Sequence, residues 1–325
     1  MNLVGIIFWM IQLNSLIMIR LIILYTFLIS GCSSSTDILK RYEMIHDGDL
    51  RTYDVYEPRV LKKNMTLVVG LHGYTGTPNT FIRKGDANFN RFLDSNNFLG
   101  VYPSGKSFKE NGRFFSSWND LTGSIAEGPK GEICDLDRDY YPYPPDCKNP
   151  KRCTWASCAD DIGFIEKIID QLQIKYDIKE VIVVGMSNGG MIAQAIGCKL
   201  GNKIDAIINI AGMQHLGMSC IPKNPVSMVI YGANFDNTVP PKNIRASDGY
   251  FYEPMENTVY DWKEKLECKN KDIKNIENPT KITIVHYFDC INNESVTSIF
   301  DHNNNHDWPK PYKYGINLLF EPLIN

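Results

Sequence analysis

Short apolar runs alternate with longer segments of helical spacing along most of the chain. The run 66–71 is apolar at consecutive positions, which is typical of a parallel strand covered by helices on both faces. The segments 160–176 and 191–200 carry apolar residues at helical spacing. The strand pattern is repeated in five further runs: 98–102, 181–184, 206–210, 226–231 and 282–287. This alternation predicts an α/β fold with a mostly parallel central sheet and helices on both faces.

One connection between an apolar run and a helical segment contains a candidate catalytic residue. Gly185-Met186-Ser187-Asn188-Gly189 matches the G-x-S-x-G turn, in which a strained strand-to-helix corner exposes a serine hydroxyl. Glycines two positions before and after the serine leave room for that backbone. Taken alone, the five residues are better explained as a tight connection. Ser187 is therefore a candidate nucleophile whose partners must be found.

The acid of such a site follows the serine in the chain, on a loop beyond a strand. Asp236 comes just after the run 226–231 and is the candidate acid. A carboxylate there would orient a histidine and stabilise its charged form. Asp248 and Glu253 are alternatives, and an ordinary turn residue is the other interpretation of Asp236.

The base should follow the acid, and three histidines do so. His286 lies inside a strand pattern, which indicates a packed or surface residue. His302 and His306 share one loop. We choose His306 as the base, and His302 is the alternative.

Two backbone N–H groups should stabilise the oxyanion of an acyl-transfer reaction. Asn188 follows the serine, and Tyr74 lies in the loop after the run 66–71. Gly73 would let that loop turn close to the substrate. His72 is expected to be structural, and Asn188 is expected to matter for its amide more than for its side chain.

The charge balance indicates no nucleic-acid or phosphate partner, because 34 basic and 37 acidic residues are spread without a long basic block. No linker or internal repeat is visible in the 325 residues. We therefore expect one catalytic domain over residues 38–325, with an insertion at about 122–158.

The first 31 residues are almost continuously apolar, with Arg20 as their only charge. They predict a lipoprotein-type signal peptide, followed by a lipidated Cys32 and a tether over 32–37. Translation from Met18 would give a compact basic start, and an uncleaved membrane anchor is the alternative. The protein is thus expected to be exported and either anchored by lipid at the cell envelope, on the outer membrane, or extracellular. Membrane contact would be through that anchor alone.

Eight cysteines remain after Cys32, and an even number in an exported chain indicates disulfides. The group between Cys134 and Cys158 would close one or two bridges. Proximity suggests the pairs 198–220 and 268–290, although spacing does not fix connectivity. Zinc is disfavoured because there is no C-x2-C pair and no nearby histidine. The acidic series 135, 137, 139 and 146 resembles a calcium loop but lacks its glycine.

At the level of motifs, the chain resembles the extracellular poly(3-hydroxybutyrate) depolymerase and feruloyl esterase family, including its lipoprotein members. The resemblance covers nearly all of residues 38–325 and implies the α/β-hydrolase fold. The motif His306-Asp307-Trp308-Pro309 favours His306 over His302, although Asn305 stands where the family has glycine. The other matching segments are 51–58 (an edge-strand pattern), 71–74, 117–119, 160–164, 185–190, Asp236 and 239–240.

The expected activity is that of a serine esterase with Ser187, Asp236 and His306 as its triad. Its substrate would be an ester of a polymer or oligomer, either a hydroxyalkanoate or a feruloyl or acetyl group on a polysaccharide. Trp118 and Trp308 are expected to contact that substrate at an apolar rim. No metal or organic cofactor is implied. Peptidase or thioesterase activity is the alternative chemistry, and a non-catalytic surface-binding scaffold is the alternative class.

Overall fold

One sheet of ten strands runs through the part of the chain that our computed structural model describes, residues 39–84, 88–123, 125–135, 137, 141–148, 153 and 155–324. The strands there are β1 Leu39–His46, β2 Asp49–Tyr56, β3 Met65–Leu71, β4 Leu99–Pro103, β5 Lys106–Glu110, β6 Arg113–Ser117, β7 Glu127–Gly128, β8 Gly131–Glu132, β9 Ile178–Met186, β10 Ala206–Ile210, β11 Ser227–Ala233, β12 Asn270–Ile276, β13 Ile282–Phe288 and β14 Val296–Asp301. The helices are α1 Pro78–Ile82, α2 Phe89–Asn96, α3 Asp161–Lys175, α4 Asn188–Lys199, α5 Met255–Lys265 and α6 Tyr312–Phe320, with a 3₁₀ turn at Ile291–Asn293.

The order across the sheet is β1-β2-β4-β3-β9-β10-β11-β14-β13-β12. The strands from β4 to β14 in that order pair in parallel, and an antiparallel pair flanks them on each side. The prediction of an α/β fold with a mostly parallel sheet is confirmed. Because the carboxyl ends of parallel strands share one edge, the loops after β3, β9, β11 and β14 meet there.

Alternate side chains of the central strands enter two separate cores. On one face, Val183 and Ile207 pack with helices α3, α4 and α5. On the other face, Ile182 and Ile208 pack with α1, α2 and α6. Burial on both faces explains why these strands read as continuous apolar runs in the sequence.

Two strand predictions need correction. Residues 51–56 of the segment 51–58 lie in β2, which is not an edge strand because β1 pairs along its outer side. The run 282–287 forms β13, which is antiparallel to both of its neighbours and only half-buried. Its position near the end of the sheet leaves one more strand, β12, outside it.

The start of α3 explains the paired acids Asp160 and Asp161. The carboxylate of Asp160 accepts the Gly163 N–H at 3.0 Å, so Asp160 is the N-cap of this helix. Asp161 lies in the first turn, but it is also buried and paired with Arg51 at 2.6 Å. The helix terminus therefore accounts for only part of its environment.

The predicted signal peptide, Cys32 and tether lie outside the described residues. Within the described residues, no helix combines the length and the hydrophobicity needed to cross a bilayer.

Candidate active site

Ser187 occupies the corner between β9 and α4. Its φ of 56° and ψ of −124° lie outside the regions that L residues usually adopt. Its N–H donates to the Ile210 carbonyl at 2.8 Å, which helps to hold this conformation. A Cβ on Gly185 would lie 1.9 Å from the Gly189 oxygen, and a Cβ on Gly189 would lie 2.2 Å from the Leu71 oxygen. Both positions therefore require glycine.

The loops after β11 and β14 bring Asp236 and His306 to this corner. His306 Nε2 lies 3.0 Å from Ser187 Oγ, and His306 Nδ1 lies 2.7 Å from Asp236 Oδ2. The other carboxylate oxygen accepts the N–H groups of Thr238 and Val239 at 2.9 and 2.8 Å. A carboxylate held in this way selects the tautomer with hydrogen on Nδ1, so that Nε2 can accept the serine proton.

Solvent reaches this series of groups from one end only. The His306 side chain is 21% exposed, whereas that of Asp236 is completely buried. A substrate or a water molecule can thus approach the imidazole and the hydroxyl, while the carboxylate stays dry and its attraction to the ring is little screened.

The alternative acids and bases have other partners. His302 and His286 bond threonine hydroxyls on β13 and β14, and the two acids bond a tyrosine and a lysine. The pairs are His302 Nε2 with Thr283 Oγ1 at 2.9 Å, His286 Nδ1 with Thr297 Oγ1 at 2.8 Å, Asp248 Oδ2 with Tyr141 OH at 2.8 Å and Glu253 Oε1 with Lys130 Nζ at 2.7 Å.

The two expected amide donors belong to segments next to the serine. A Cβ on Gly73 would lie 3.9 Å from Ser187 Oγ, so the loop that carries Tyr74 passes directly beside the hydroxyl. Asn188 is the first residue of α4, where the helix dipole is positive. Neither the Tyr74 nor the Asn188 N–H donates to a backbone carbonyl of the described residues. Both amides are available to a negative charge that develops at this point.

The structure does not place the two predicted substrate-binding tryptophans at a rim. Trp118 is 0% exposed and Trp308 is 2% exposed. Trp118 packs on His72 with ring centroids 4.9 Å apart, and Trp308 packs edge-on against Phe81 at 5.1 Å. The predicted position at a rim is wrong for both, because these large rings pack in the two cores on opposite faces of the sheet.

His72 has the structural environment that we expected. It is buried, its Nδ1–H donates to the Gly73 carbonyl at 2.8 Å, and its Nε2 accepts the Gly105 N–H at 3.0 Å. Burial lowers the pKa of His72 to about 4, although the bond to Gly73 acts in the opposite direction. The ring is therefore neutral near pH 7.

Two buried polar side chains beside the corner have no counterpart in the sequence predictions. The Asn188 side chain bonds the backbone of Trp118, so it matters for more than its amide. Asp120 is also buried, and burial raises its pKa to about 6 despite hydrogen bonds from Thr122 and Asn188. No spacing rule links these groups, because Asn188 and Trp118 lie 70 residues apart.

The cysteine-rich insertion borders the Tyr74 loop. Two disulfides join Cys134 to Cys153 and Cys147 to Cys158, and the remaining pairs are 198–220 and 268–290, as proximity suggested. The Tyr74 ring contacts Tyr141 and Trp155, with centroids 5.5 and 5.1 Å apart. The insertion thus forms an aromatic wall beside one proposed amide donor.

The zinc alternative fails for these cysteines because their sulfurs are bonded to each other. Within the described ranges, no group of three or more His, Cys, Asp or Glu residues is arranged to hold a metal ion. Asp135 pairs with Arg245, and Asp146 accepts hydrogen bonds from Ser157 and the Cys158 N–H. Asp139 of the acidic series that resembles a calcium loop lies outside the described residues.

Comparison with known proteins gives one curated relative and many solved structures of similar fold. No model of a known protein family matches the chain. The bifunctional acetylxylan esterase/xylanase XynS20E of Neocallimastix patriciarum is 25% identical over 239 residues, which are 71% of this chain and 27% of that protein. The chain thus spans about a quarter of the length of this relative.

Among solved structures, the acetyl xylan esterase from Aspergillus awamori superposes with a TM-score of 0.56 at 15% identity, over 86% of this chain and 98% of that one. The parallel centre of the sheet, its two helical layers and the serine corner after β9 agree with this likeness. The protein therefore has the α/β-hydrolase fold.

Proposed function

We propose that the protein is a serine hydrolase that cleaves carboxylic esters. The observation that carries the proposal is the hydrogen-bonded series from Ser187 through His306 to Asp236, which begins at a strained strand-to-helix corner. His306 Nε2 would take the hydroxyl proton while Ser187 Oγ attacks the ester carbonyl carbon. The N–H groups of Tyr74 and Asn188 would stabilise the oxyanion that forms.

The remaining steps of acylation and the hydrolysis of the acyl-enzyme use the same groups. The charged His306 gives its proton to the departing alcohol, which leaves an acyl group on Ser187. A water molecule then loses a proton to His306 and attacks the acyl carbon. The bond from that carbon to Ser187 Oγ breaks, Oγ takes the proton back from His306, and the carboxylic acid is released. Asp236 keeps the imidazole in one tautomer and stabilises its charged form.

We further propose that the ester belongs to a polymer or oligomer. The likeness to an acetylxylan esterase supports an acetyl group on a polysaccharide as the first candidate. Feruloyl groups and hydroxyalkanoates are the other classes that the family resemblance implies. Tyr74 and Tyr141, which are partly exposed and packed against the buried Trp155, offer an apolar wall to any of these acyl groups.

For localisation, we propose export by the N-terminal leader, with lipid attached to Cys32 and the catalytic domain following the tether. Four disulfides support an oxidising compartment. Mass spectrometry of the mature N-terminus tests this, because an unprocessed leader or an unmodified Cys32 contradicts it.

The central experiment compares the full-length wild type with Ser187→Ala on p-nitrophenyl acetate. We expect the variant to lose at least about 10³-fold of the activity, because the nucleophile is removed. Ser95→Ala is a matched control, since that hydroxyl only bonds a carbonyl in its own helix. Equal hydrolysis by wild type and Ser187→Ala contradicts the mechanism. Release of acetate from acetylated xylan, set beside ferulate and 3-hydroxybutyrate release, then identifies the acyl group.

A further inference from the structure

The proposed amide donors belong to separate elements, so something must set their relative position. Tyr74 lies in the loop after β3, and Asn188 begins α4. The backbones approach closely here, since a Cβ on Gly189 would lie 2.5 Å from the His72 oxygen. Close approach alone does not fix which way a peptide group points, and an amide that points away cannot stabilise an oxyanion.

The Asn188 side chain makes hydrogen bonds to a third segment, residues 118–120. Its Oδ1 accepts the Trp118 N–H at 2.7 Å, and its Nδ2 donates to the Trp118 carbonyl at 3.2 Å and to Asp120 Oδ2 at 3.3 Å. The side chains of Asn188 and Trp118 are completely buried. Hydrogen bonds in such a dry place are strong and costly to leave unmade.

Trp118 connects these hydrogen bonds to the loop that carries the other proposed donor, the Tyr74 amide. Its indole N–H donates to the His72 carbonyl at 2.8 Å. His72 in turn donates from Nδ1 to the Gly73 carbonyl at 2.8 Å, and the Gly76 N–H reaches the same oxygen at 2.9 Å. Two donors therefore fix the peptide plane between Gly73 and Tyr74.

The planarity of the peptide between Gly73 and Tyr74 relates the direction of the Gly73 carbonyl to that of the Tyr74 N–H. In a trans peptide, the C=O and the following N–H point in opposite directions. Because the Gly73 carbonyl is held towards His72 and Gly76, the Tyr74 N–H is turned to the opposite side. The Gly105 N–H, bonded to His72 Nε2, keeps the donor hydrogen on Nδ1.

We propose that Trp118, His72 and the Asn188 side chain form a positioning network that presets the Tyr74 and Asn188 amides as one oxyanion hole. This inference rests on the proposed function. It gives Trp118 a role that acts through the backbone and replaces the substrate contact predicted from the sequence. None of the three side chains needs to touch the substrate for the network to act.

The test replaces Trp118 with phenylalanine, which keeps an aromatic ring but removes the indole N–H. With p-nitrophenyl acetate, we expect kcat to fall about 10- to 100-fold while KM changes little, because the loss is confined to the transition state. The inhibition constant of a trifluoromethyl ketone, which forms an oxyanion on Ser187, should rise by the factor that kcat/KM loses.

Trp262→Phe is the matched control. Trp262 is equally buried, and its indole N–H also donates to a carbonyl, that of Cys220 at 3.0 Å, but it lies on α5. The control should lose stability in urea unfolding, but its inhibition constant for the trifluoromethyl ketone should not change. Asn188→Ala keeps the backbone amide but removes the side-chain hydrogen bonds to the segment 118–120. It should show the same loss of kcat and the same rise in the ketone inhibition constant as Trp118→Phe, and it replaces Trp118→Phe in the test if that variant does not fold.

The outcomes separate the inference from the proposed function. A wild type without Ser187-dependent turnover overturns the proposed function. If the wild type is active and folded Trp118→Phe keeps kcat and ketone affinity, the positioning network is wrong. A rise in KM alone would restore the substrate-contact role of Trp118.

Discussion

The two sides of Ser187 use polar side chains in opposite ways. On the triad side, formed by the loops 234–240 and 302–311, Asp236 and His306 direct functional atoms towards the hydroxyl. On the oxyanion side, formed by the loop 72–76 and the segment 117–120, the His72 and Trp118 side chains hydrogen-bond backbone groups. There the proposed working groups are the backbone amides.

The environments differ as well. The triad side combines charged groups with a partly exposed imidazole. On the oxyanion side, the His72 and Trp118 side chains are buried, and the histidine is neutral because burial lowers the pKa of His72 to about 4. The comparison teaches that the role of a histidine near a nucleophile depends on the partners of its two ring nitrogens. One nitrogen of His306 is directed to Ser187, whereas both nitrogens of His72 bond backbone groups.

The largest expected effect tests the triad side. Asp236→Asn removes the charge that holds the Nδ1 tautomer, so we expect kcat on p-nitrophenyl acetate to fall about 10⁴-fold with the fold intact. His306→Ala should lose a similar share of activity. His302→Ala is the control, because that ring bonds Thr283 and should keep most of the turnover. The reverse result for the two histidines would reassign the base.

The next effect tests the oxyanion side through acid stability. The unfolded chain protonates His72 near its ordinary pKa of 6.5, but the folded protein does so only near pH 4. Stability from the neutral ring is complete above pH 6.5 and is lost as the pH falls to about 4, by about 3 kcal/mol. In His72→Gln, the part of the acid-induced loss of stability that comes from His72 should disappear.

Urea unfolding at pH 7 and pH 4.5 measures the difference between wild type and His72→Gln. His215, whose pKa burial lowers to about 3, and Asp120, whose pKa burial raises to about 6, are present in both proteins and cancel in the comparison. Identical pH dependence in the two proteins would show that His72 is not held neutral by the fold.

The sequence and the structure agree best where a candidate site residue follows an apolar run. Ser187 and Asp236 follow β9 and β11, which were both predicted as apolar runs, whereas His306 follows β14, which no predicted run covers. The positions of β1 and β12 were missed because β1 is largely exposed and β12 almost entirely so, which removes the apolar signal. Order along the chain therefore indicates loops at the sheet edge better than it indicates the outer strands.

The burial of Trp118 had no comparable signal. It lies in a segment without periodicity, so the sequence does not show which side of the loop faces inward. Its partners Asn188 and His72 are 70 and 46 residues away and meet it only once the sheet has formed. The same limit applies to Asn188, whose amide follows from the motif but whose side chain depends on tertiary contact.

The smallest effect asks whether charge outside the triad also holds the His306 loop. Asp307 accepts hydrogen bonds from Lys84 at 2.6 Å, Lys310 at 2.9 Å and the Tyr312 hydroxyl at 2.9 Å. Burial alone would raise the pKa of Asp307, but these donors outweigh it and lower the pKa to about 2. The carboxylate therefore stabilises the fold above pH 3.8, and this contribution is lost as the pH falls through about 2.

Asp307→Asn should accordingly cost about 1 kcal/mol of unfolding free energy at pH 7, less than the pKa shift alone implies, because both lysines are partly exposed and screened. We expect kcat to fall only about two- to fivefold, since His306 keeps Asp236 and loses only support for its loop. Added salt should shrink the stability difference but not affect Trp118→Phe, whose lost bond carries no net charge. A kcat loss as large as that of Asp236→Asn would make Asp307 the acid and would place the functional carboxylate beside His306 in the chain instead of across the sheet edge.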